Sequence, residues 1–435
     1  MVETGFRDGV AREAERAVLI GAILPQRETQ REGVLDELAR LADTAGATIV
    51  GELTQKLHRP HASAFYGKGK AEELGELARA NDADLVISNE DLSPGQLRNL
   101  EKHVGLRVVD RTELILDIFA MHARTHQSRL QVQLAQLQYL MPRLKRMWTH
   151  LSREGGTGQG GGIGTRGPGE KQIEIDRRIL RKRLTELRRE LGTIAARRQR
   201  MASSRDAFFT ISLVGYTNAG KSTLLRQLTG ADAYVADQLF ATLETQTRAW
   251  MVPTGKRVFL SDTVGFVRDL PHHLVASFHA TLEEVMRADL ILHVVDAAHA
   301  DALGQVRAVE DTLARIGAEE TPRLLVLNKI DQVEDAISLN ALSRGREPAC
   351  RLSALHGGTG IAGLATNVER FIAAQQVETA FEVPAGAGRF LAYLEERGTV
   401  LDRRYVDGSV NVRVLLSPAD RARALRMAAQ EVADS

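Results

Sequence analysis

The chain has 435 residues, a formal net charge of +1 and one cysteine. That length predicts two or three domains. The near-zero charge confines any nucleic-acid affinity to a local patch, and a lone Cys350 excludes an intramolecular disulfide or a multi-cysteine metal site. Cys350 is expected to be a small buried residue. No apolar run approaches the length of about eighteen residues that a membrane span needs. The opening MVETGFRDGVAREAERAV lacks the hydrophobic run of a signal peptide, so a cytoplasmic protein without membrane insertion is expected.

In chain order, residues 17–122 alternate short apolar runs with amphipathic stretches. Ala17–Ile20, Thr48–Gly51, Leu85–Ser88 and Arg107–Val109 read as strands. Between them Leu35, Leu38, Leu41 and Ala42, then Leu74, Leu77 and Ala78, recur at helical spacing. Ser93-Pro94 opens a further helix with proline in its first turn. Such alternation implies a small sheet with parallel pairs covered by helices, so residues 1–124 are assigned to an N-terminal α/β subdomain. Gly67-Lys68-Gly69-Lys70 lacks the length of a phosphate-binding loop and reads as a sharp turn with exposed lysines.

Residues 125–204 change period. Leu130, Leu134, Leu137, Met141, Leu144, Trp148 and Leu151 form a heptad stripe, which Pro142 should kink. A second stripe runs Leu180, Leu184, Leu187, Leu191, Ile194. Between them, GGTGQGGGIGTRGPG (residues 155–169) is too rich in glycine to hold a helix. The simplest structure is an antiparallel helical hairpin whose stripes face each other. The second helix carries Arg177, Arg178, Arg181, Lys182, Arg183, Arg188, Arg189, Arg197, Arg198 and Arg200 against Asp176, Glu186 and Glu190. An excess this one-sided favours an RNA- or phosphate-binding face over an ordinary solvated one.

From residue 205 to 376 the pattern is a regular α/β alternation with a nucleotide site in it. FFTISLVGYTNAGKST (Phe208–Thr223) places an apolar strand ending at Gly215 before a helix beginning near Lys221. Gly215-x4-Gly220-Lys221-Ser222, with Asn218, Ala219 and Thr223 completing the contact set, is a phosphate-binding loop in its strand–loop–helix setting. Its glycines let successive amides turn inward, and the helix N-terminus adds partial positive charge. Lys221 would neutralise the β- and γ-phosphates and Ser222 would ligate Mg2+. Asn328-Lys329-Ile330-Asp331 follows the strand Leu324–Leu327. The Asp331 carboxylate can accept both N1–H and N2–H2 of guanine, which adenine does not offer, so GTP and GDP are the expected ligands. This also disfavours an ATP-driven motor. Ser353-Ala354-Leu355 follows one more strand, and its amides would meet the guanine O6. Asp262-Thr263-Val264-Gly265 ends the strand Arg257–Leu260. Asp262 should hold Mg2+ through water, and the Gly265 amide should bond the γ-phosphate. The next residue is where many GTPases place the glutamine that orients the attacking water. Here it is Phe266, which should pack under the switch. Intrinsic hydrolysis should then be slow, or the orienting group come from elsewhere.

Residues 377–435 read as a small α+β appendage, with strands at Phe381–Pro384, Thr399–Arg404 and Val410–Leu415 and helices at 387–397 and 418–432. The expected fold class is therefore α/β: a P-loop GTPase domain, preceded by a small α/β subdomain and a helical hairpin, with an α+β C-terminal appendage.

At these residues the chain resembles the HflX family of ribosome-associated GTPases, over roughly residues 15–376. The resemblance is carried by GGIGTRGPGE (Gly161–Glu170) with Gln172 and Asp176-Arg177-Arg178, and by FYGKGKAEEL, SPGQLRNLE, DRTELILDIF, LQVQLAQLQYLMPRL and DTVGFVRDLPHHLV. Lys171 departs from the family's usual threonine, and Glu244-Thr245-Gln246 replaces its usual Asp-Pro-Thr after the switch threonine. Among Thr242, Thr245 and Thr247, the family pattern selects Thr242 as the threonine that reaches Mg2+ only when GTP is bound, a catalytic element with Lys221 and Gly265. The resemblance implies docking on the large ribosomal subunit and its ribosomal RNA through the N-terminal subdomain and hairpin. It also implies separation of stalled ribosomes in the GTP state, after stress such as heat, and release on hydrolysis. A monomer is expected. A reading of a different class stays open: an RNA-binding assembly module in which GTP is a structural ligand.

Overall fold

A computed structural model describes residues 14–25, 33–144, 168–202, 208–230, 239–240, 246–268, 279–346, 348–355, 358–406 and 408–433. They fall into two units. The first takes the described residues up to Ile194 together with 239–240, 268 and 279–280; the second takes the rest.

In the first unit β1 (Arg16–Ile23), α1 (Asp36–Thr44), β2 (Thr48–Lys56), α2 (Lys68–Ala80), β3 (Leu85–Ser88), α3 (Pro94–Val104), β4 (Arg107–Val109) and α4 (Arg111–His122) alternate. The strands form one sheet in the order β2-β1-β3-β4, every pair parallel. β1 is buried along nearly its whole length, as an inner parallel strand must be. β2, at the edge, is only half covered. Helix starts follow the local chemistry. Ser93 and Gln96 form a capping box with Pro94 in the first turn, and Gly105 ends α3 with φ +83°. Asp110 caps α4 through the Glu113 amide. The stretch around Gly67 differs from the expected sharp turn: Gly67 is extended and α2 begins at Lys68. Lys68 faces Glu72 at 3.8 Å and Lys70 faces Glu73 at 2.9 Å, pairings that helical spacing supplies.

Next come α5 (His126–Leu140) and α6 (Pro168–Ala202). Leu130, Leu134, Leu184 and Leu187 form a buried cluster, with Leu137, Met141, Leu191 and Ile194 packed against it. The two predicted stripes therefore meet. Pro142 ends regular helix in a 3-10 turn, Met141–Arg143. α6 starts at Pro168, inside the predicted glycine segment, because proline suits the first helical position. Trp148, Leu151 and residues 155–167 lie outside the described residues. Arg178, Arg181, Lys182, Arg183, Arg188, Arg189 and Arg197 are all exposed on α6.

In the second unit β5 (Phe209–Gly215), α7 (Lys221–Thr229), β6 (Gln246–Met251), β7 (Arg257–Asp262), α8 (His279–Met286), β8 (Leu290–Asp296), α9 (Ala302–Arg315), β9 (Arg323–Asn328), α10 (Ala336–Ser343), β10 (Ala349–Arg351) and α11 (Ile361–Ala374) follow in order. The first two residues of α8 belong to the first unit. The sheet order is β10-β9-β8-β5-β7-β6, parallel except for β6 on β7. Cys350 is buried, as expected, and Asn367 Nδ2 donates to its Sγ at 2.9 Å. β11 (Val377–Pro384), α12 (Gly388–Arg397), β12 (Thr399–Val406), β13 (Ser409–Leu416) and α13 (Pro418–Ala433) close the chain as an antiparallel sheet, β11-β13-β12. Phe381, Phe390, Leu394, Val412 and Ala424 share its core. No described helix is long and apolar enough to cross a membrane.

Candidate functional site

The strand order of the six-stranded sheet reverses between β5 and β8, which opens a crevice at their carboxyl ends. Gly215 ends β5 there. A Cβ on it would lie 2.2 Å from the Val294 carbonyl oxygen of β8, so no side chain fits. Asn218 (φ +62°) and Gly220 (φ +92°) both turn left-handed. Gly220 is the N-cap of α7 and supplies no side-chain cap, so the first-turn amides and their partial positive charge face the loop.

Lys221 is 6% exposed, and its ammonium donates to the Gly215 carbonyl at 3.1 Å and the Tyr216 carbonyl at 2.8 Å. Burial pushes it down to about 8, against the pull of Asp262. A buried cation whose hydrogen bonds go to backbone carbonyls is poised for an anion. The Ser222 hydroxyl meets Asp262 Oδ2 at 2.6 Å, and Asp262 is buried. Gly265 abuts this pair of elements: a Cβ on it would stand 2.9 Å from Thr217 Cα and 3.1 Å from Lys221 Nζ. Thr223 is buried in the first turn of α7.

Phe266 is 1% exposed. Its amide donates to the Gly215 carbonyl at 3.1 Å, and its carbonyl accepts from the Thr217 amide at 2.8 Å. The ring is packed inside, as the sequence predicts, and the backbone ties the loop to the segment after Asp262. His293 on β8 is no substitute for a water-orienting side chain. It is 3% exposed, and burial, then Arg323, Arg346 and Lys221, hold it neutral at about 3.

The second half of the site joins the first through Asn328. Its Nδ2 donates to the Ala219 carbonyl at 2.9 Å, and its Oδ1 accepts the Ala354 amide at 3.0 Å. Lys329 is left-handed (φ +60°), and Asp331 is exposed on the 3-10 turn that follows. Leu355 is 64% exposed. The Ser353 amide donates to the Thr359 carbonyl at 3.0 Å. The Ser353 and Ala354 amides are thus both engaged by described residues. Thr242 lies outside the described residues.

Comparison with known proteins agrees with this geometry. Three family models match in succession: GTP-binding GTPase N-terminal over residues 32–120, GTP-binding GTPase Middle Region over 122–205, and 50S ribosome-binding GTPase over 210–329. The GTPase HflX of Caldanaerobacter subterraneus subsp. tengcongensis is 44% identical over 406 residues, 93% of this chain and 91% of that protein. The GTPase HflX of Escherichia coli K12 is 41% identical over 410 residues, 93% and 94% of the two chains. The chain belongs to the HflX family of GTPases. A solved GTP-binding protein of Sulfolobus solfataricus in complex with GDP is 23% identical, with 82% of this chain and 98% of that one covered and a TM-score of 0.41.

Within this HflX chain two features of the site escaped the sequence reading. The Thr263 hydroxyl donates to the Leu213 carbonyl at 2.7 Å and so fixes the turn after β7. Asp296, at the end of β8, pairs with Lys329 at 2.6 Å. An aspartate closing an otherwise buried apolar strand was a usable signal for the second. A threonine inside a four-residue motif gave none for the first.

Proposed function

We propose that this HflX GTPase binds GTP and GDP at the crevice above β5 and β8 and hydrolyses GTP while docked on the large ribosomal subunit. The GTP state would separate stalled ribosomes, and hydrolysis would permit release. The observation that carries the nucleotide reading is Asn328, whose one amide group bonds both the phosphate loop and the Ser353–Leu355 loop. Phosphate and base recognition thereby become one rigid unit.

Lys221 supplies the counter-charge to the β- and γ-phosphates, with the amides of Asn218, Gly220 and Ser222 around them. The Gly265 amide bonds the γ-phosphate, and Asp331 reads the base. Ser222 and Asp262 bring a hydroxyl and a carboxylate oxygen together at 2.6 Å, two hard donors that suit Mg2+. They would hold it together with Thr242, and the ion would draw charge from the phosphate oxygens. Phe266 offers the attacking water nothing, so turnover by the free protein is slow and the ribosome stimulates it. Residues 1–124, 125–204, 205–376 and 377–435 act as the working parts of a cytoplasmic monomer.

The exposed basic side chains of α6 support an RNA contact through the phosphate backbone. Phosphate release with and without purified large subunits tests the reading, together with subunit profiles of ribosomes in a non-hydrolysable GTP analogue. Strong stimulation and separated subunits are expected. Fast turnover that ribosomes leave unchanged would sink it. Replacing Arg181, Lys182, Arg188 and Arg189 with glutamine keeps helix formers and the apolar stripe. It should weaken ribosome binding and flatten its salt dependence by about 0.7–0.9 per lost phosphate contact, with GTP binding intact. Equal affinity at every salt concentration would move the RNA surface elsewhere.

A further inference from the structure

Asp296 closes β8, and every residue before it in that strand is buried. In the parallel register it lies beside Asn328, and the Ala297 amide donates to the Asn328 carbonyl at 3.0 Å. Both carboxylate oxygens are engaged: Oδ1 accepts the Ala298 amide at 3.1 Å and Oδ2 accepts Lys329 Nζ at 2.6 Å. The two side chains are 16% and 21% exposed, so the pair is largely removed from water. Lys329 has a left-handed backbone, which a residue with a Cβ keeps only when its surroundings hold it. It follows Asn328, which bonds both loops of the site, and precedes Asp331, the residue assigned to the base, by two positions.

We propose that Asp296 is a positioning residue of the guanine site: by holding the Lys329 ammonium it fixes the lysine's four-carbon stem as one wall of the base pocket before nucleotide arrives. This rests on the guanine-site reading above. The physical ground is conformational. A lysine has more rotamer freedom to lose than almost any side chain, and a stem ordered in advance does not charge that loss to binding. A short, charge-assisted bond to a carboxylate fixed by a second hydrogen bond is a means of ordering it. The contact touches no phosphate, so its effect belongs to the base alone.

The test uses the full chain and titrates GDP and GTP against Asp296→Asn, Asp296→Ser, Lys329→Met and the Asp296→Asn/Lys329→Met double variant. Asp296→Asn keeps the shape and the acceptor for the Ala298 amide. It should weaken GDP and GTP by the same factor, about tenfold, the rotamer loss expected for one lysine. KM for GTP should rise with kcat unchanged, and competition by inorganic tripolyphosphate should stay as in wild type. In the Lys329→Met background the Asp296 change should have no further effect on affinity. A pair that merely ties β8 to β9 would lower the unfolding midpoint without this coupling. The proposal is overturned if both Asp296 variants bind GDP like wild type, or if the loss is as large with Lys329 already removed. Should the Asp296 variants fail to fold, Lys329→Met alone decides: wild-type GDP affinity there removes the wall and the proposal with it. The guanine-site reading fails separately, if the wild-type chain shows no preference for guanine nucleotides.

Discussion

Two sheets in this chain reverse their strand order, one between β1 and β3, the other between β5 and β8, yet among the described residues they present different groups there: backbone meets a glycine at β5, side chains meet one at β1. At the β5 end, glycine approaches the neighbouring strand and the loop amides are left to face a ligand. At the β1 end, side chains fill the crevice. The Tyr66 hydroxyl lies 3.0 Å from Ser88 Oγ and 3.4 Å from the Ile20 carbonyl. Arg111 bonds Glu37 at 2.7 Å, Asn89 Oδ1 at 2.8 Å and the Arg268 carbonyl at 3.4 Å. Phe119 of α4 also meets Phe240 edge-on, ring centroids 4.7 Å apart. The same topology therefore makes a site in one sheet and a packed joint in the other. What separates them is whether the chain offers amides or side chains at the reversal.

The largest effect should come from closing the open crevice. Gly215→Ala places a Cβ 2.2 Å from the Val294 carbonyl oxygen, backbone against backbone, so β5 and β8 must part. We expect a cost of about 3 kcal/mol in stability and a loss of at least about 100-fold in GTP affinity from displaced loop amides. Chemical unfolding and nucleotide titration measure both. A variant that binds GTP normally would mean that the bare backbone is not what makes the site.

Next is Asp331→Asn, which leaves the crevice open and, on the proposed reading, changes only how the base is held. Loss of a charged two-point contact should weaken GTP by about 3 kcal/mol. Xanthosine triphosphate should gain, because xanthine presents an oxygen where guanine has its amino group. Titration of both nucleotides decides, and an unchanged preference would remove Asp331 from the base.

Sequence showed the open site far more readily than the filled joint. Gly215, Gly220, Lys221 and Asn328 belong to short strings whose chemistry is local or fixed in order, so spacing exposes them. Tyr66, Ser88, Arg111 and Glu37 find one another across 22 to 74 residues, and nothing in their local context names the partner. The strand positions were readable in both sheets because buried parallel strands must be apolar runs. β1 and β2 outran their predicted ends: the sheet carries β1 through Gly21, and edge position tolerates the polar second half of β2. The hairpin stripes were readable for the same reason as the strands, whereas Asp296 carries no motif.

In the filled joint, Arg111→Met should lower the unfolding free energy of the first unit by about 2–3 kcal/mol, since Glu37 and Asn89 lose a buried charged partner. Glu37→Gln in the same chain should recover part of it by removing the carboxylate charge that Arg111 balances. Equal stability of Arg111→Met and wild type in denaturant would show that the joint is ornamental and that the crevice is free for a ligand after all.

The smallest effect should come from the glycine that sits on β1 much as Gly215 sits on β5. A Cβ on Gly21 would lie 2.7 Å from Leu35 Cδ2 and 3.4 Å from Val34 Cγ1, the ends of side chains and not a backbone. Leu35 is 4% exposed, so its methyl has to shift within a packed layer. That strain opposes the gain from a stiffer unfolded chain, and the net cost of Gly21→Ala should be about 1 kcal/mol. Shortening the obstacle with Leu35→Val in the Gly21→Ala background should make the pair less than additive, because the two changes share one space. GTP affinity should not move. Unfolding curves of the two singles and the double, with a GTP titration on each, measure this. A collapse as severe as that of Gly215→Ala would show that the β1 end depends on bare backbone too, and the contrast between the two sheets would be gone.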